Sequence, residues 1–99
     1  MPYIAKEDRA KYDPILRDLR DRIVDNCSGV EEAAGVLNYC VTVLSVAVFE
    51  KLVGKLRYWH YALLSGVFDN IKTEYYRRKA VPYEDLKIEE NGDVSAYDD

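Results

Sequence analysis

The sequence predicts an all-α domain of three helices with an irregular acidic C-terminal tail. Two segments carry apolar residues at the three-to-four spacing of an amphipathic helix. A third, Glu31 to Val53, is apolar nearly all round, too long for a strand and uninterrupted by a turn. The first helix opens at Asp13-Pro14, a capping residue followed by a proline at the first helical position. Tyr12, Ile15, Leu16, Leu19 and Ile23 then share one face, with Arg17, Asp18, Arg20 and Asp21 elsewhere. Ahead of it, Pro2-Tyr3-Ile4 reads as extended and Lys6 to Lys11 as a charged lead-in.

Asn26-Cys27-Ser28-Gly29 is turn chemistry, and Ser28 with Glu31 has the spacing of a capping box opening the second helix. Gly54 suits its C-terminus. The β-branched residues Val41, Thr42, Val43, Val46 and Val48 favour strands, but length and the end signals favour a helix. Its run from Val36 to Phe49 is short for a membrane span and holds Asn38, Thr42 and Ser45, so a core helix is expected rather than a membrane contact. Two neighbours of this size cannot cover it, and a homo-oligomer joined through this helix is therefore expected.

The third helix runs from about Leu56 to Lys79, with His60, Leu64, Val67, Phe68, Ile71 and Tyr75 as its inward stripe. Val81 before Pro82 is biased out of helical space, which ends it there. This makes residues 1–81 a helical domain and 82–99 a tail. Within the tail, Asn91-Gly92 closes a small hairpin between Leu86-Lys87-Ile88 and Val94-Ser95 or sits in an irregular end.

Charge narrows the partners. The net charge is −4, which disfavours a nucleic-acid polymer. Residues 1–81 carry 13 Lys/Arg against 11 Asp/Glu, whereas 82–99 carry one Lys against seven acids. The two cysteines, Cys27 and Cys40, have no CxxC spacing and follow no signal-like segment, so reduced thiols in a cytoplasmic protein are expected.

Two constellations hold candidate binding residues. On the second helix Gly35, Asn38, Tyr39, Thr42, Ser45 and Phe49 share an arc, either packing against another helix or subunit or lining a pocket. At the end of the third, Tyr75-Tyr76-Arg77-Arg78-Lys79 meets Pro82-Tyr83-Glu84-Asp85. Arg78 follows Glu74 by one turn, in the favourable acid-before-base order. Such a guanidinium suits a carboxylate or phosphate, or ties down the tail through Glu84 or Asp85. Catalytic patterns are missing: His60 stands alone on an apolar face, no zinc spacing exists, and Glu31, Glu32, Glu50, Asp69 and Glu74 lack the paired spacing of a magnesium-binding helical pyrophosphatase. No cofactor is expected.

Met1-Pro2-Tyr3-Ile4, Gly35-Val36-Leu37-Asn38-Tyr39 with Thr42 and Leu44, Glu74-Tyr75-Tyr76-Arg77-Arg78, and Pro82-Tyr83-Glu84-Asp85 with Lys87 and Asn91-Gly92-Asp93-Val94 together resemble a small family of uncharacterised phage and prokaryotic proteins. The resemblance spans nearly the whole chain. In that pattern the residue after Gly35 is often Glu and the one before Leu44 often Arg, so Val36 and Val43 depart from it. It implies a single-domain helical protein without an established reaction. By analogy with small oligomers that sequester nucleotide signals, the expected function is non-catalytic binding of a phosphorylated ligand by Asn38, Tyr39, Thr42, Arg77, Arg78 and Tyr83. The alternative is a structural or interaction protein.

Overall fold

A computed structural model describes residues 3–97, and every regular element among them is helical. A 3-10 turn, Lys6–Lys11, leads into α1 (Asp13–Asn26); α2 (Val30–Val53), α3 (Tyr58–Tyr75), a π turn at Tyr76–Ala80, α4 (Val81–Asn91) and a 3-10 turn at Ser95–Tyr97 follow. The chain forms two compact units, Met1–Tyr61 and Ala62–Asp99, with the division inside α3.

In the first unit the lead-in is helical because Asp8 and Tyr12 donate their N–H groups to the carbonyls of Ala5 and Arg9. Tyr12, not Asp13, is then the capping residue of α1, and Pro14 sits in the first turn, where its missing N–H costs nothing. α2 begins after Gly29. The capping contact is shifted one residue from the predicted one: the carboxylate of Glu32, not Glu31, accepts from the Ser28 hydroxyl at 2.8 Å and from the Ser28 N–H at 3.3 Å. At its far end Gly54 takes φ 82°, a conformation open to glycine, and donates its N–H to Glu50 at 2.8 Å.

α3 starts with a cap that the sequence pattern did not predict. The Arg57 N–H donates to Nδ1 of His60 at 2.9 Å, while the Arg57 carbonyl accepts from the N–H groups of His60 and Tyr61. His60 thus plays the part usually taken by Glu or Gln three residues into a helix. It is 7% exposed, with the Trp59 ring at 3.8 Å between centroids.

The second unit corrects the predicted helix end. Val81 is helical (φ −61°, ψ −48°), and its N–H donates to the carbonyl of Tyr76, five residues back. A proline ring crowds the carbonyl four residues earlier, here that of Arg78. Widening the helix by one residue ahead of Pro82 relieves that clash and lets the chain stay helical. The acidic segment is therefore mostly a fourth α-helix, not an irregular tail or a hairpin. Asn91-Gly92 ends that helix: Gly92 adopts φ 81° and donates to the Ile88 carbonyl at 2.7 Å.

A second correction concerns the core. Among the described residues no apolar side chain is buried. The inward face expected of α1 is open or half-open, as are Val67, Phe68, Ile71 and Tyr75 on α3, and only His60 fulfils its predicted burial. α2, predicted as a core helix, is 24 residues long and no residue of its apolar window is buried. By length and composition it is also apolar enough to cross a membrane.

Candidate functional site

In the first unit α1 and α2 leave an open groove of about 530 Å³ between them. Leu16, Leu19 and Ile23 come from α1, and Leu37, Cys40 and Leu44 from α2. The α1 residues recur at intervals of three and four, so α1 turns one stripe toward the trough, whereas on α2 Tyr39, Val41 and Val43 widen the lining to a broader arc. Tyr39 and Arg20 also contribute to the wall, and the Arg20 guanidinium is held by Asp21 at 2.9 Å. Cys27 and Cys40 are both free thiols.

Of the predicted binding residues on α2, Tyr39 lines this groove and is 69% exposed. Asn38 and Thr42 fall on the other side of the helix at 100° per residue. The Thr42 hydroxyl donates to the Asn38 carbonyl at 2.7 Å, so its polar requirement is met inside α2 and its methyl group is left to pack.

The other three predicted residues belong to the second unit. Glu74 stands at the head of the π turn and receives both arginines: Nη2 of Arg77 at 3.1 Å and Nε of Arg78 at 2.8 Å. The Glu74–Arg78 spacing was legible in the sequence; the second arm from Arg77 was not. Hydrogen bonding by Arg77, with the charges of both guanidinium groups, holds the Glu74 carboxyl below the usual carboxylate range against partial desolvation. Both arginines remain largely exposed.

The tail is anchored by a different residue from those predicted. The Tyr76 hydroxyl reaches across the π turn to Glu84 at 2.7 and 2.9 Å from its two oxygens, and the carboxylate raises the Tyr76 phenol above its ordinary pKa. Arg78 is left to Glu74. Tyr83 carries the Lys87 ammonium 5.6 Å from its ring centre. The structure thus brings Arg77 and Arg78 together on one carboxylate, while Asn38, Tyr39 and Thr42 are set on a helix of the other unit. Among the described residues no group of His, Cys, Asp and Glu is placed to hold a metal ion.

The groove escaped the sequence reading because its two walls come from different helices. The apolar stripe of α1 was its visible half. No curated protein and no solved structure matches this chain. Residues 1–94 match the family described as Domain of unknown function (DUF6899), and the chain belongs to it.

Proposed function

We propose that this protein works by assembly: it is a non-catalytic interaction protein whose apolar helix α2 is covered by other copies of the chain. The observation that carries this reading is the open state of α2 together with the lack of any buried apolar side chain among the described residues. Ordering a residue costs about 1–2 kcal/mol of backbone entropy. Burial of apolar area is the main term that offsets it. A chain that buries so little by itself gains that term by associating.

Light scattering across micromolar concentrations tests it, with an expected mass above one chain and a melting temperature that rises with concentration. A one-chain mass with a cooperative, concentration-independent transition would reject it.

A second reading rests on the π turn. Arg77 and Arg78 each spend one donor group on Glu74, while the remaining N–H groups of both make no hydrogen bond among the described residues. An anion of the phosphate class fits that chemistry. Pyrophosphate titrated into the assembled protein should shift the amide resonances of residues 74–84. If they stay in place, this second reading fails and assembly stands alone.

A further inference from the structure

We infer that the α1–α2 groove seats an apolar helical face of a second copy of this chain, in a two-fold contact with Cys40 at its wall. The inference rests on the assembly reading and goes beyond it by naming the surface. The trough is partly open to solvent and lined on both sides by leucines at helical spacing. That form suits side chains projecting from another helix, as when the ridges of one helix enter the groove between two others.

Three observations identify the occupant. The first is area. Leu37 and Leu44 are 52% and 58% exposed, and most other apolar side chains of α1 and α2 are exposed too, with Ile23, Val36 and Phe49 half-buried. At the roughly 60–120 Å² that full burial removes per side chain, these two helices expose several hundred Å². That is on the order of the ~800 Å² each partner contributes to a standard interface.

The second is charge. Along α1 the order Asp13, Arg17, Asp18, Arg20, Asp21, Arg22, Asp25 alternates sign, three arginines against four aspartates. In a two-fold contact the same patch meets itself, which such a rim permits and a single-sign rim would oppose. A strongly charged partner or anionic lipid finds no matching field there.

The third separates protein from lipid. Arg20 forms part of the groove wall, and its guanidinium is costly in hydrocarbon. The uncharged stretch 33–49 has 17 residues. At 1.5 Å per residue it reaches roughly 26 Å, near the lower limit for a hydrocarbon layer of about 30 Å, so the Arg20 guanidinium and not helix length carries the distinction.

The two cysteines supply an internal control, because Cys27 lies in the α1–α2 connection and Cys40 in the groove. The full chain is alkylated with N-ethylmaleimide at concentrations below and above the assembly midpoint found by light scattering, and each site is read by mass spectrometry. Cys40 labelling should slow by about tenfold on assembly, as when nine of ten molecules bury the thiol. Cys27 labelling should hardly change. Leu44→Asp should restore both the one-chain mass and fast Cys40 labelling, and the milder Leu44→Ala should raise the midpoint if the Asp variant does not fold.

Assembly with Cys40 still labelled as in the dilute protein would overturn the groove contact and leave the assembly reading intact. A one-chain mass at every concentration would overturn both. Protection of Cys40 only on adding phosphatidylcholine vesicles would overturn the second-copy occupant in favour of lipid.

Discussion

The α1–α2 region and the π turn answer the same requirement, that polar and apolar groups find partners, in opposite ways. On α2 the polar group of Thr42 turns back to the Asn38 carbonyl one turn away, and a broad apolar surface is left uncovered. Around the π turn the chain satisfies itself with charge: Glu74 takes both arginines and Tyr76 takes Glu84. On the proposed reading, the contrast separates a surface left for another copy of the chain from a local network of ion pairs and hydrogen bonds made within one chain. Substitutions in the first should change mass and stability together; those in the second should change local order alone.

The largest effect is expected where the contrast is sharpest. Leu37→Asp places a charge in an apolar trough, and burying an unpaired charge costs several kcal/mol, enough to dissociate the assembly. Light scattering should report one chain. Arg77→Ala should leave the mass unchanged, because its guanidinium is exposed and bound to a neighbour on the same turn. If Arg77→Ala also dissociates the protein, the two regions are not separable in this way.

The next effect belongs to the only buried side chain among the described residues. His60→Ala removes the acceptor from the Arg57 N–H and opens space beside Trp59, for a loss of about 1–3 kcal/mol by thermal unfolding. Ser28→Ala, at an exposed cap of α2, should cost less, since the Glu32 carboxylate there remains free to meet the Ser28 N–H and solvent. Equal losses from the two would mean that burial adds nothing to the His60 cap.

What was legible in the sequence follows the same division. Helical periodicity found the three longer helices, and Gly54 marked the end of α2 as expected. The β-branched run did not prevent a helix, because local strand preference is weak beside a continuous, well-ended apolar segment. Position 82 misled: the bias against helix before proline assumes an ordinary helical turn, and a π turn removes the clash. Burial misled for another reason. Periodicity marks which face is apolar but not whether one chain has enough surface to cover it.

At the π turn a smaller prediction concerns Tyr76→Phe. Loss of its hydroxyl frees Glu84 and should speed amide exchange in the first turns of α4 while the mass stays constant. Unchanged exchange there would remove Tyr76 from the account of why the acidic segment is helical.

The smallest effect is a dependence on pH, and its sign differs between the two partners of the turn. Glu74 has its carboxyl lowered by Arg77, so its contribution is present above the ordinary carboxylate value near 4.3 and is lost as pH falls through the lowered one. Tyr76 has its phenol raised by Glu84, so its contribution is present below the ordinary value near 10 and is lost as pH climbs through the raised one. Wild type and Tyr76→Phe should therefore differ in α4 exchange at neutral pH and converge in strong alkali. Wild type and Glu74→Gln should instead converge in acid, after their intrinsic exchange rates are corrected for pH. Neither substitution should alter the mass by light scattering. A Glu74→Gln difference that persists unchanged into strong acid would show that the carboxylate charge is not what orders the turn, and would leave the geometry of the π segment alone to account for it.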